Sequence, residues 1–200
     1  MNSKFGARQI AYTGILLAVC IVSQYFKNLS VFITGPVINA CLALAVLLVN
    51  LPCGIILSVI TPVTAWLITG NPLMSAVPGI IPLIMLGNIV LAAGVHFLLK
   101  GRMISSGKNG GGVVSYALSV GISALKGLFM GLTISLWLLP TFIPKESPLY
   151  AKLPVFQSTF SLIQFLTAVI GFVYVFIIWA VIYRDTNVSS AINNSMDKRR

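Results

Sequence analysis

One charged residue, Lys126, stands in the middle of an otherwise uncharged apolar run, Val113–Pro140. Placing an ammonium at mid-membrane depth costs roughly 2.5–3.5 kcal/mol, so such a group faces a cavity or a partner. The chain's acidic residues are Glu146, Asp185 and Asp197, and none falls in an apolar run. Two readings of Lys126 follow. It can sit neutral, or its head can snorkel toward the N-terminal end of its helix, the direction in which helical side chains lean. Alternatively, its counter-charge is an anionic ligand. Asn39, Asn88 and Gln164 are amides in other apolar runs, costly against lipid and therefore turned inward. Counting depth from the ends of each run puts Asn39, Trp66 and Gln164 in the outer third, with Asn88 and Lys126 below them. Those five residues describe a pocket open to the outside, sized for a small polar molecule.

Catalytic chemistry has no foothold here. No GxxxxGK[ST], HExxH or GxSxG run occurs, and no pair of carboxylates sits within an apolar stretch. Gly107-Lys108-Asn109-Gly110 is only a flexible turn. His96 lacks Cys, Asp or Glu neighbours, so no metal is expected. Cys20, Cys41 and Cys53 have no metal or redox spacing and read as small core hydrophobes. Leu17-Ala18-Val19-Cys20 approaches a lipoprotein box, but Val19 is too large for it, and the first run is read as an uncleaved span. The chain is thus expected to be a binding protein, not an enzyme, and to need no cofactor.

The elements that hold these residues are apolar helices. Hydrophobic residues make up 58% of the 200-residue chain and charged ones only 8%, far from the balance of a soluble domain. Six apolar runs, about Gln9–Phe26, Gly35–Val49, Cys53–Thr69, Gly79–Leu99, Val113–Pro140 and Phe160–Tyr183, suit membrane crossing. The expected fold is an all-α integral membrane protein, a single bundle of six transmembrane helices over residues 1–184, with a basic cytoplasmic tail at 185–200. The second and third runs are short and joined only by Asn50-Leu51-Pro52, so a re-entrant pair is the competing arrangement.

Both termini are placed inside by the distribution of Lys and Arg. That orientation puts Lys4, Arg8, Lys100, Arg102, Lys108, Arg184, Lys198, Arg199 and Arg200 in the cytoplasm and leaves Lys27, Lys145 and Lys152 outside. The net charge of +10 therefore reads as membrane orientation, not as a nucleic-acid surface. Ser105–Gly112 is a flexible cytoplasmic linker. The external connections, Lys27–Pro36, Gly70–Gly79 and Thr141–Thr159, carry Pro36, Pro72, Pro78, Pro144, Pro148 and Pro154. Stiffened, partly apolar loops suit a lid, although prolines also simply end helices.

Three stripes complete the pattern. Ala7, Ala11, Gly14 and Ala18 lie within roughly 60° on the first helix, a face that another helix can approach closely. Whether that helix belongs to this chain or to another subunit is not fixed by the stripe. On the fifth run, Ser115, Ser119, Lys126, Thr133 and Trp137 fall within about 40°. On the sixth, Gln157, Ser161, Gln164, Ala168 and Gly171 share a face.

With these features in place, the chain resembles the substrate-binding S components of energy-coupling-factor (ECF) vitamin transporters. The runs Thr34-Gly35-Pro36-Val37-Ile38-Asn39-Ala40, Thr61-Pro62-Val63-Thr64-Ala65-Trp66-Leu67-Ile68-Thr69-Gly70 and Met85-Leu86-Gly87-Asn88 carry the likeness. The resemblance implies capture of a micronutrient from outside the bacterial plasma membrane, beneath the loops joining spans 1–2, 3–4 and 5–6. It further implies docking onto a transmembrane coupling subunit driven by two ATPase subunits, through Ala-x-x-x-Ala on the first helix. Ala7 and Ala11 match that motif, and Gly14 and Ala18 form a deeper pair. The unpaired Lys126 makes the expected cargo anionic. An accessory scaffold protein and a self-contained facilitator are the alternatives.

Overall fold

The computed structural model describes residues 6–26, 31–107 and 110–197, with side chains through Tyr183. Six helical segments are long and apolar enough to cross a membrane: Ala7–Tyr25, Val31–Val49, Leu51–Thr69, Ile80–Ser105, Gly112–Phe142 and Tyr150–Tyr183. The second and third are 19 residues each, about 28 Å at ~1.5 Å per residue, close to the ~30 Å of a hydrocarbon core. Each is long enough to span by itself, which removes the need for a re-entrant pair. Phe97, Val113 and Leu67 are 75%, 83% and 67% exposed, a surface that suits lipid and not water. The chain thus has the build of a multi-pass membrane protein. Lys4, Lys27, Lys108 and the basic tail end at 198–200 lie outside the described residues, and the Arg184 side chain likewise.

Local sequence explains where the helices begin and end. Helix α1 (Ala7–Tyr25) starts with the Gly6 amide donating to Gln9 Oε1 at 3.3 Å. Helix α2 (Val31–Leu44) continues through wide π-helical turns, Ala45–Val49. Lys100 Nζ closes that end by donating to the carbonyl oxygens of Val46 (2.7 Å) and Val49 (3.4 Å), a cation satisfying orphan carbonyls. Asn50 then caps α3 (Leu51–Thr69), its Oδ1 accepting from Cys53 N at 2.9 Å, with Pro52 inside the first turn. Gly70, at φ 55°, ends α3 in the left-handed conformation that favours glycine. Asn71 and Pro72 at once start the short α4 (Pro72–Ala76). Helix α5 (Ile80–Gly94) passes through π-helical Val95–Leu99 into α6 (Lys100–Ser105). Helix α7 (Gly112–Met130) widens into π-helical Gly131–Leu138 before α8 (Leu139–Phe142). The last span is divided: α9 (Leu153–Phe160) stops at Ser161, and α10 (Leu162–Asp197) follows.

Helix α2 is the hub. It packs against α10, α1 and α3, and 61% of its span is buried, against 17% for α1. The main core runs from Leu42–Leu47 through Leu57, Leu91, Val95 and Phe172. A second cluster at the other end of the bundle joins Leu73, Ile80, Met130, Ile134, Leu138 and Phe160. Glycines set the closest crossings. A Cβ on Gly171 would sit 2.9 Å from the carbonyl oxygen of Pro36, and one on Gly127 would sit 2.9 Å from Phe165 Cβ. These contacts draw α2 and α7 onto α10.

Four expectations change. Pro36 lies inside α2, which begins at Val31 and not at Gly35, so Asn39 sits midway along its span instead of near one end. Membrane helices tolerate an interior proline because neighbouring groups take up the freed backbone bonds. On the fifth span the stripe holds through Ser115, Ser119 and Lys126, all buried, and then breaks. The π-helical turns advance less than 100° per residue, so Ile134, Ser135 and Leu138 turn inward while Trp137 is 59% exposed and Thr133 half-buried. The sixth run stands as α10 from Leu162, and the interruption at Ser161 separates it from α9, a helix largely within the expected external connection Thr141–Thr159.

Candidate functional site

Lys126 is 2% exposed, on α7 and within reach of α2 and α5. Its Nζ donates to Asn39 Oδ1 at 2.6 Å and to Asn88 Oδ1 at 2.8 Å. The depth arrangement is therefore a direct cluster, with Asn39 level with Lys126 and not above it. Snorkelling is not what the side chain does: it spans the interior to two amides from other helices. An ammonium has three donors, and only two find protein acceptors. Neither acceptor is charged.

The lysine also fixes how both amides face. Each asparagine must present its oxygen to Nζ, which turns its NH2 elsewhere. Asn39 Nδ2 donates to Thr167 Oγ1 at 3.5 Å, and Thr167 Oγ1 in turn donates to the Gln164 carbonyl at 3.2 Å. Asn88 Nδ2 has no protein acceptor among the described residues. The result is a donor-rich centre built from one cation and two oriented amides, with no carboxylate near it.

This centre forms part of the wall of a cavity of about 260 Å³. Asn39, Asn88, Lys126 and Gln164 all line it. Toward the loop between α3 and α5 the walls are Leu73 and Met74 of α4 together with Val155, Phe156 and Thr159 of α9. The proline-started segments thus do reach over the cavity, since Pro72 and Pro154 open those two helices. Trp66 does not line the cavity. The α3 face turned to it carries Thr61, Pro62 and Ala65, and Trp66 stands about 40° beyond Pro62, past the edge of that face. Trp66 instead donates from Nε1 to Ser75 Oγ at 3.0 Å, bracing α4 from outside.

Thr34, Thr61, Asn71 and Phe160 line the cavity without having been singled out as contacts. Thr34 and Thr61 could have been found as polar residues within apolar runs on the same helices as Asn39 and Trp66. Phe160 carries no such signal. At the α1–α3 junction, Gln24 Nε2 donates to the Thr61 carbonyl at 3.0 Å, while Gln24 Oε1 and Thr61 Oγ1 are buried without partners. Gln157 lies beside the cavity and ties α9 to the fifth span: its Nε2 donates to the Ser135 carbonyl at 2.9 Å, and Ser135 Oγ donates to the Gln157 carbonyl at 2.8 Å.

A second hollow, about 360 Å³, lies between α7 and α10 and is lined by Tyr116, Val120, Phe172 and Phe176 among other apolar side chains. Though larger, it holds no charged group and offers little directional contact to a polar molecule. His96 stands in neither space. Its Nδ1 is buried without a partner and its ring meets Phe97 edge-on at 4.9 Å.

The small-residue stripe of α1 faces away from the rest of the chain. Ala7, Ala11, Gly14 and Ala18 are all exposed, and a Cβ on Gly14 would meet nothing within 4 Å. Helix α1 packs inward through Cys20, Ser23 and Gln24 instead. No protein family, curated protein or solved structure matches this chain.

Proposed function

We propose that this multi-pass membrane protein is the substrate-binding S component of an ECF-type importer, and that the 260 Å³ cavity captures a small anionic vitamin or related micronutrient. The observation that carries the reading is Lys126. It is a buried lysine on the wall of a cavity, with one N–H unused and no acidic partner among the described residues. A buried charge left without a partner is strongly destabilising; in this reading a ligand anion is what keeps the ammonium charged instead of neutral. In this reading both termini are cytoplasmic, and the α4 and α9 end of the cavity faces outside.

The outward stripe of α1 supports the transport half of the proposal. A row of small residues has no packing purpose against lipid, while it lets a partner helix come close. The partner is the transmembrane coupling subunit, which carries two ATPase subunits. The experiment is purification of the chain from its own membranes, followed by native mass spectrometry. A copurified small acid, together with a larger membrane subunit and two ATPases, is the expected result. Gly14→Leu should release those subunits and leave the thermal stability of the isolated chain unchanged. Transport into liposomes by the purified chain alone, without any ATPase, would show a self-contained facilitator instead.

A further inference from the structure

We infer that the cavity takes a monocarboxylate with an apolar body and no cationic group, its carboxylate seated at Lys126 and its body toward α4 and α9. This inference rests on the reading of the cavity as a capture site and adds a charge rule and an orientation to it.

The charge rule comes from what lines the space. Among the described residues, Lys126 is the one charged side chain in the wall. It offers one remaining N–H, and Asn88 Nδ2 is a second donor without a protein acceptor. Two donors on one cationic centre match the two oxygens of a carboxylate. A second anionic group on the ligand would find no further cation among the described residues and would be desolvated unpaired. A ligand ammonium would fare no better. The wall carries no acidic side chain among the described residues, and Lys126 would repel the added charge.

The orientation comes from the gradient of polarity along the cavity. The amides and lysine cluster where α2, α5 and α7 meet, whereas Leu73, Met74, Val155, Phe156 and Phe160 form the far walls. An apolar body there exchanges water for hydrocarbon contact. Size sets the remaining limit. A volume of about 260 Å³ equals roughly nine waters at ~30 Å³ each, which suits a molecule of about ten non-hydrogen atoms.

Isothermal titration calorimetry on the full chain in lipid nanodiscs, with compounds that share a skeleton and differ in charge, tests the inference. One series is phenylpropanoate, phenylpropanol, phenylpropylamine, phenylalanine and benzylmalonate. The other is octanoate, octanol, octylamine, aminooctanoate and octanedioate. The monocarboxylate should bind at least tenfold more tightly than every other member of its series. Lys126→Met should weaken monocarboxylate binding roughly 10- to 100-fold, as expected for loss of a hydrogen bond to a charged group, and weaken alcohol binding by a smaller factor. The charge rule is decided by the compounds alone, so a Lys126→Met chain that does not fold leaves the test intact. Equal or tighter binding of the amine, the amino acid or the diacid overturns the inference while the capture site stands. Failure of every compound in both series overturns the capture site as well.

Discussion

Exchanging Asn88 for aspartate supplies internally the charge that Lys126 lacks. The two atoms concerned are 2.8 Å apart, and the substitution changes shape very little. At an effective dielectric near 20, unit charges at that distance attract by ~6 kcal/mol. Desolvation of the new carboxylate opposes this by several kcal/mol, whereas the lysine is already buried in either case. A net stabilisation of about 1–2 kcal/mol remains, or a rise in Tm of about 2–8 °C for a chain of this size. Asn88→Leu does the reverse. It removes an acceptor from a buried ammonium at a cost of about 1.5–3 kcal/mol, lowering Tm. The same Asn88→Asp change should weaken octanoate or phenylpropanoate binding by at least ~100-fold, because the ligand then meets a neutralised pair and not a free cation. Thermal unfolding followed by the intrinsic fluorescence of the three tryptophans, with calorimetry for binding, reads both effects. If Asn88→Asp lowers Tm as far as Asn88→Leu and leaves anion binding intact, Lys126 is not the charge that recruits the ligand.

Three further outcomes separate packing from chemistry. Gly171→Ala puts a methyl 2.9 Å from the Pro36 carbonyl oxygen and 2.9 Å from Asn39 Cβ, so overpacking should cost about 1–3 kcal/mol in thermal unfolding; Gly121→Ala, with nothing within 4 Å, should stabilise by about 0.5–1 kcal/mol. Trp66→Phe should leave ligand affinity within roughly a factor of two by calorimetry, since Trp66 touches α4 from outside the cavity.

Hydropathy made the six spans legible, because a helix in lipid has to be apolar over a fixed length whatever else it does. Lys126, Asn39, Asn88 and Gln164 were legible for the complementary reason: polar groups are expensive in that setting, and each one needs a purpose. What could not be read was phase. Thr133 and Trp137 fall on the Lys126 stripe only if every turn is α-helical, and Gly131–Leu138 is not. Nothing in Gly131-Leu132-Thr133-Ile134 marks wide turns in advance; their cause is tertiary, in the bonds that Ser135 exchanges with Gln157. Trp66 was misplaced by a rotation of about 40°, and Asn39 by a helix that starts before its proline. The direction of the α1 stripe was a question of which faces the other five spans had already filled.

The interruption at Ser161 and the Ser135–Gln157 pair together have a mechanical meaning. Helix α9 carries Val155, Phe156 and Thr159 over the cavity, is discontinuous with α10 at one residue, and is pinned to its neighbour by two neutral hydrogen bonds. That is a latch with a one-residue hinge. Releasing it breaks bonds worth about 0.5–1.5 kcal/mol each and unwinds no helix. Opening also withdraws Phe160 and Phe156 from the second apolar cluster, which adds to the cost. On the capture-site reading proposed above, ligand contacts with Phe156 would add to what holds the latch shut.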